Sequence, residues 1–127
     1  MSVLTRTASV LVVEDEAAIS EFIAEELSAH GFAVHAVGNA ADALSYLNEG
    51  EPVDVLFTDI DLPGGMDGSE LAERARGLRP ELPIVYASGR YSPSALAPLV
   101  PRSVFLRKPY DADDLCRLID RLTLHLH

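Results

Sequence analysis

Residues Val55 to Gly68 read VLFTDIDLPGGMDG, and this stretch carries the clearest information about the fold. It continues an apolar run that starts at Val53, reaches the acids Asp59 and Asp61, and ends in a proline and glycines that favour a turn. A short apolar run bounded by turn residues is typical of a strand that is covered on both faces, as in a parallel sheet. Ligands of such sheets bind beyond the carboxyl ends of the strands. The stretch therefore predicts a buried strand that carries carboxylates to a pocket.

The same unit of strand, turn and helix recurs before and after this stretch. The predicted strands are Ala8–Val13, Phe32–Val37, Val53–Thr58, Pro83–Ala87 and Ser103–Leu106. Apolar residues at helical spacing predict helices between the strands and after the last one, with Asn39, Asp67 and Asp111 as N-caps. The positions that we expect to face the core include Ile19, Phe22, Ile23 and Leu27 in the first helix and Leu71, Ala75 and Leu78 in the third.

The connection after the fourth strand is the least regular part of the pattern. Its prolines, Pro93, Pro98 and Pro101, limit a helix that opens at Ser92 to one or two turns. With that short helix, five strands alternate with about five helices. Strict alternation with short connections predicts an α/β fold, a single doubly wound five-stranded parallel sheet with helices on both faces and right-handed crossovers.

Length and composition limit the classes of protein to which the chain can belong. A chain of 127 residues fits one domain, residues 1–127, and 48% hydrophobic with 24% charged residues is ordinary globular composition. The net charge of −10 argues against a direct nucleic-acid partner. The apolar runs are far shorter than the roughly 20 residues that cross a bilayer, so we expect no membrane association. A single cysteine, Cys116, suits a reducing compartment, and we expect a cytoplasmic protein.

Polar residues follow four of the predicted strands and should meet at one edge of the sheet. Glu14 and Asp15 follow the first strand, Asp59 the third, Ser88 the fourth and Lys108 the fifth. Several carboxylates packed together repel one another unless a cation neutralises them. A hard, oxygen-binding ion such as Mg²⁺ is the natural partner of such a cluster.

The same residues suggest a reaction. An aspartate beside a divalent ion and a lysine can attack a phosphoryl group and form an aspartyl phosphate, which makes Asp59 the candidate nucleophile. Phosphoryl transfer needs mainly positioning and neutralisation of the phosphoryl oxygens, which the metal, Lys108 and backbone amides can provide. Ser88 is placed to donate its hydroxyl to a further phosphoryl oxygen.

In order and spacing, the segments VLVVEDE, LFTDIDLPGGMDG, PIVYASG and FLRKPY resemble the receiver domain of bacterial two-component response regulators over nearly the whole chain. The resemblance implies that the sheet is flavodoxin-like, of the receiver type. It also implies that Asp59 is the phosphoacceptor and that Lys108 contacts the phosphoryl group. It also implies that Mg²⁺ is held by Glu14, Asp15 and Asp59 together with the backbone carbonyl of Asp61.

The resemblance also assigns a conformational switch. It implies that Ser88 is the switch hydroxyl, that Phe105 is the aromatic residue that turns inward on activation, and that the peptide bond between Lys108 and Pro109 is cis. Five features depart from the commonest family pattern. Glu14 replaces aspartate, Ser88 replaces threonine, Phe105 lacks a tyrosine hydroxyl, and the PGGMDG loop is one residue longer. In addition, a proline-rich stretch after Arg90 stands where the family has its fourth helix.

The function that this resemblance implies is a phosphorelay switch and not an enzyme. A sensor histidine kinase or a histidine phosphotransfer protein would donate the phosphoryl group. Since no residues follow His127, we expect a stand-alone domain whose output goes through a downstream partner protein, and a homodimer is compatible with this expectation. A receiver excised from a larger protein would give the same sequence pattern.

Two other functions stay open on the sequence alone. The Asp59-x-Asp61 pair is similar to the nucleophile and acid/base pair of haloacid-dehalogenase-like phosphatases, for which turnover of an external phosphate ester would speak. A phosphorylation-independent binding module would keep the fold alone, and failure to bind Mg²⁺ would favour it.

Overall fold

The structure is a computed structural model that describes residues 7–89 and 100–124. Within these ranges the chain forms five strands and four helices. The strands are β1 Ser9–Val13, β2 Ala33–Val37, β3 Val55–Asp59, β4 Ile84–Ser88 and β5 Ser103–Arg107. The helices are α1 Ala17–Ala29, α2 Ala40–Asn48, α3 Gly68–Leu78 and α4 Ala112–Leu122. The short helix predicted to open at Ser92 lies outside the described residues.

The strands form one parallel sheet in the order β2-β1-β3-β4-β5. The chain therefore runs from β1 outward to β2, crosses back to the central β3 and continues to the opposite edge. This order confirms the prediction of a doubly wound, flavodoxin-like sheet. Three strands end one residue later than predicted, because β3 extends to Asp59, β4 to Ser88 and β5 to Arg107. The predicted site residues Asp59 and Ser88 are thus the last residues of their strands.

The core consists of two layers, one on each face of the sheet. Val10 and Val12 of β1 pack on the face covered by α1 and α4. Leu11 and Val13 pack on the opposite face, which is covered by α2 and α3. Because side chains alternate across a strand, successive residues of a strand that is covered on both faces enter the two core layers in turn, so most of its positions are apolar. This requirement explains the continuous apolar runs in the sequence.

Helix caps follow the predictions in two cases of three. The side chain of Asn39 accepts a hydrogen bond from the Asp42 backbone N–H, and that of Asp67 accepts one from Glu70. These bonds satisfy donors that the first turn of a helix leaves free. Asp111 stands at the N-cap of α4 but its side chain makes no capping bond, so this part of the prediction is wrong.

Three residues that were predicted to face the core are exposed. Phe22 is 56% exposed, Ile19 36% and Leu78 44%. Helix α1 reaches the sheet through Ile23 and Leu27, whereas Ile19 and Phe22 lie beside an open groove. Leu78 is the last residue of α3, where the helix ends. Helical spacing predicted the apolar face correctly but not how much of it other elements cover.

Candidate functional site

The parallel strands bring the predicted polar residues to one edge of the sheet. The Glu14 backbone N–H donates to the Val37 carbonyl at 3.1 Å, and the Lys108 N–H donates to the Ser88 carbonyl at 3.1 Å. These bonds continue the β1–β2 and β4–β5 ladders past the last paired residues. The backbone at Glu14 and at Lys108 is therefore fixed by the sheet.

Three carboxylates meet at this edge. Glu14, Asp15 and Asp59 each offer one carboxylate oxygen, and these oxygens lie within 4.8 Å of one another. Glu14 and Asp59 are buried, whereas Asp15 is exposed. Such a set of oxygen donors suits a hard divalent cation, which would also remove the repulsion between the charges. The structure thus brings together the three acidic side chains that the sequence predicted.

Both carboxylate oxygens of Asp59 have partners. Oδ2 accepts a hydrogen bond from the Lys108 ammonium at 2.7 Å, and Oδ1 accepts one from the Asp61 backbone N–H at 3.0 Å. The Lys108 contact joins residues that lie 49 positions apart in sequence. Asp59 is 7% exposed, so a small opening leads to a carboxylate whose orientation is fixed.

The acidic cluster changes the proton affinity of Glu14. Burial is the main cause that raises the pKa of Glu14 to about 7, and the negative charge of Asp59 raises it further. A hydrogen bond from the Glu16 backbone and the positive charge of Lys108 act in the opposite direction. Without a bound cation, Glu14 therefore exchanges its proton near neutral pH.

Lys108 is held in its charged form. Burial by itself would lower the pKa of Lys108, but the hydrogen bond and the charge of Asp59 outweigh burial, and the pKa is raised. Glu14 and Asp61 add to this effect. The Lys108 ammonium group beside Asp59 therefore carries a positive charge at neutral pH.

The two predicted switch residues lie on β4 and β5. Ser88 is fully buried at the end of β4, and Phe105 is half-buried in β5, opposite Tyr86. Phe105 packs against the core layer of α2 and α3 and is not part of the acidic cluster. The Lys108–Pro109 peptide bond is cis, as the resemblance implied.

Sequence reasoning missed three residues at this site. Thr58 donates its hydroxyl to the Asp59 backbone carbonyl at 2.9 Å, and Gly68 packs directly against the same carbonyl. Tyr110 packs edge-on against Phe57, with ring centroids 6.0 Å apart. Burial, then the charges of Glu14 and Asp59, raise the pKa of Tyr110 to about 12. The available signals were a hydroxyl residue next to Asp59 and an aromatic residue after Lys-Pro.

An apolar groove of about 510 Å³ adjoins the site. Its walls come from α1 and from the segment that links β5 to α4, and they include Ile19, Phe22, Ile23, Lys108, Pro109 and Tyr110. Lys108 lines the groove and also contacts Asp59, so this one side chain lies between the groove and the acidic cluster. Across residues 7–89 and 100–124, no helix combines the length and apolar character that crossing a membrane requires.

Comparison with known proteins finds the same arrangement of segments elsewhere. Residues 10–120 match the response regulator receiver domain family. The chain is 36% identical over 118 residues to the response regulator receiver protein CpdR of Brucella abortus (strain 2308), a match that covers 91% of this chain and 96% of CpdR. It is 31% identical over 123 residues to the sensor kinase CckA of the same organism, a match that covers 94% of this chain but only 13% of CckA.

A solved structure agrees with these relatives. The crystal structure of a response regulator receiver protein from Sinorhizobium medicae WSM419 is similar with a TM-score of 0.87 and 31% sequence identity. The similarity covers 95% of this chain and 98% of that chain. The fold described above is therefore one that a solved receiver protein also adopts over nearly its whole chain.

Proposed function

The chain belongs to the response regulator receiver domain family of two-component signalling, and from this we propose that it accepts a phosphoryl group on Asp59. Members of this family are in general switches and not enzymes. The observation that carries the proposal is the position of Asp59: its carboxylate lies near two further carboxylates and accepts a hydrogen bond from the Lys108 ammonium, at the carboxyl edge of the sheet. An isolated surface aspartate would have none of these neighbours.

The proposed reaction is a direct transfer. A carboxylate oxygen of Asp59 forms a bond to phosphorus while the bond from phosphorus to the donor's leaving group breaks, and the leaving group keeps that electron pair. The carboxylates of Glu14, Asp15 and Asp59 and the backbone carbonyl of Asp61 would hold Mg²⁺, which supplies charge neutralisation to the phosphoryl oxygens. The fit rests on three carboxylate oxygens within 4.8 Å of one another.

Lys108 and Ser88 complete the proposed site. The Lys108 ammonium, which now contacts Asp59 Oδ2 at 2.7 Å, would move its hydrogen bond to a phosphoryl oxygen. Ser88, at the end of β4, would donate its hydroxyl to another phosphoryl oxygen. The added charge would thereby pull the end of β4 toward the phosphoryl group. Phe105 on β5, which pairs with β4, would then change its position and alter the nearby surface.

The proposed phosphodonor is a sensor histidine kinase or a histidine phosphotransfer protein. Its phosphohistidine must reach a nearly buried carboxylate, so the donor has to cover the surface around Lys108. The apolar groove beside Lys108, with Phe22 exposed in its wall, is the surface that we assign to this donor. Apolar side chains that are exposed around a functional opening are typical of protein interaction sites.

The proposed output is a separate protein. We propose that residues 1–127 act as a single receiver domain, and the match to CpdR over 96% of that protein supports a receiver of this size working as a unit. The match to part of CckA equally allows a place within a longer signalling protein. A cytoplasmic location follows from the proposed kinase partner.

Intact-protein mass after incubation with Mg²⁺ and acetyl phosphate tests the proposal. We expect one added phosphoryl group on the wild type and none on Asp59→Asn. Omission of Mg²⁺ should strongly reduce labelling, because the carboxylates then lack the cation that neutralises the incoming charge. Equal labelling of wild type and Asp59→Asn would contradict the assignment of Asp59.

Asp61→Asn is the matched control. The proposal uses only the backbone carbonyl of Asp61, so this variant should still be labelled. A haloacid-dehalogenase-like phosphatase would instead need the Asp61 side chain, and it would turn over p-nitrophenyl phosphate repeatedly. Sustained turnover by the wild type that is lost in Asp61→Asn would replace the receiver mechanism by this one.

A further inference from the structure

The main-chain carbonyl of Asp59 has an unusual environment. The paired register of β1 with β3 ends at Val13 and Thr58, one residue before Asp59. The Asp59 carbonyl accepts its hydrogen bond from the Thr58 hydroxyl, at 2.9 Å, and Thr58 is fully buried. A side chain thus supplies a hydrogen bond just where this ladder ends.

Helix α3 approaches the same carbonyl. A Cβ atom added to Gly68 would lie 2.3 Å from the Asp59 carbonyl oxygen and 2.8 Å from Ile60 Cα, far inside van der Waals contact. The Gly68 N–H also donates to the Ile60 carbonyl at 2.8 Å. Only glycine permits this approach. The start of α3 therefore presses on the Asp59–Ile60 peptide, while Thr58 holds the oxygen of that peptide.

The peptide between Asp59 and Ile60 sets the direction in which the chain leaves β3. Two residues later, the Asp61 N–H donates to Asp59 Oδ1 at 3.0 Å. A rotation of this peptide would move the Asp61 amide and release one oxygen of the carboxylate. The other oxygen contacts Lys108, so its distance to that ammonium would change as well.

From this geometry we propose that the Thr58 hydroxyl is a positioning group for the Asp59 carboxylate. It does not touch the reacting atoms; it fixes the peptide from which the carboxylate and the Asp61 amide are both placed. The rate of a reaction that depends on orientation falls steeply when a reacting group is displaced by up to about 1 Å. The inference rests on the proposed phosphoacceptor role of Asp59.

Two substitutions separate the hydroxyl from the shape of the side chain. Thr58→Val keeps the volume and branching but removes the donor, whereas Thr58→Ser keeps the donor and removes a methyl group. The readout is the rate at which acetyl phosphate with Mg²⁺ adds a phosphoryl group, followed by intact mass. We expect Thr58→Val to be slower by about tenfold and Thr58→Ser to stay within about twofold of the wild type.

Circular dichroism melting of each variant shows that the folded chain is being compared. A role in packing alone would slow both variants in proportion to their loss of melting temperature, and this result would overturn the inference. Equal rates for the wild type and Thr58→Val would overturn it too. If the wild type is labelled and Asp59→Asn is not, the proposed function stands whatever these two variants show.

Discussion

The side chains of the site carry unbalanced charge. The carboxylates of Glu14, Asp15 and Asp59 cluster near one ammonium group, that of Lys108, which donates a hydrogen bond to Asp59 Oδ2. Burial and the nearby charge of Asp59 raise the pKa of Glu14 to about 7. Such a raised value means that the ion-free fold tolerates the charged form of Glu14 poorly. A divalent cation that bound here would relieve this repulsion, which would add to its affinity.

Glu14→Gln should stabilise the ion-free chain at alkaline pH. The folded pKa of Glu14, about 7, lies above the ordinary value of 4.5, so the folded state binds more protons than the unfolded state between these values. Stability from this group is therefore full below pH 4.5 and falls as pH rises through 7. Urea unfolding with a chelator present should show Glu14→Gln to be more stable by roughly 1–3 kcal/mol near pH 8, with little difference near pH 5.

Glu21→Gln is the control for this measurement, since it removes the same charge from an exposed position on α1. It should shift stability by only a few tenths of a kcal/mol, about equally at both pH values. A Glu14→Gln variant that is no more stable than the wild type at alkaline pH would contradict the pKa assigned to Glu14.

Among the elements, β1, β3 and β4 were predictable because both of their faces are covered, and burial on two faces favours continuous apolar runs. The edge strands β2 and β5 are less buried, and all five predicted strands formed, within two residues at their ends. The caps Asn39 and Asp67 were predictable because their hydrogen bonds are local. The exposure of Phe22 and Ile19 was not, because it depends on how far neighbouring elements reach across α1.

Some features of the site were also predictable from the sequence and others were not. The acids and Lys108 could be brought together from sequence, because parallel strands align their carboxyl ends. The two contacts of the Asp59 carbonyl could not be predicted. The hydrogen bond from the Thr58 hydroxyl and the approach of Gly68 both depend on where the backbone lies to within a few tenths of an ångström. Residue type alone carries no information of that accuracy.

Phe22→Ala tests the groove between α1 and the β5–α4 connection. Phe22 is 56% exposed, so its loss should change stability little. Transfer from a phosphorylated histidine kinase that labels the wild type should slow by about tenfold, since an exposed aromatic anchor at an interface is commonly worth 1 kcal/mol or more. Labelling by acetyl phosphate should not change, because a small donor needs no docking surface.

Leu78→Ala is the matched control for Phe22→Ala. Leu78 is also exposed and apolar, at 44%, but it lies at the end of α3 away from the groove. It should leave both reactions unchanged. Equal slowing of kinase transfer in the two variants would mean that the donor does not use the groove.

At the scale of the whole molecule, a net charge of −10 opposes the compact state. Exposed carboxylates all over the surface repel one another, and this repulsion is long-ranged at low ionic strength. Physiological salt screens charges beyond about 8 Å and should therefore stabilise the chain. Screening cannot relieve Glu14 and Asp59 in the same way, because both are buried and close together. General screening and specific ion binding can thus be told apart.

MgCl₂ should stabilise the chain more than NaCl does at the same ionic strength. Binding to the folded state alone adds about 1.4 kcal/mol when the free ion is near ten times its dissociation constant. Urea unfolding followed by circular dichroism measures the difference. Asp15→Asn should lose the extra stabilisation, because it removes an exposed ligand and leaves the Glu14 and Asp59 side chains in place. Asp113→Asn, which removes an equal charge from α4, should keep it. If Asp113→Asn lost the effect to the same extent, the ion would be acting on the overall charge and not at the acidic cluster.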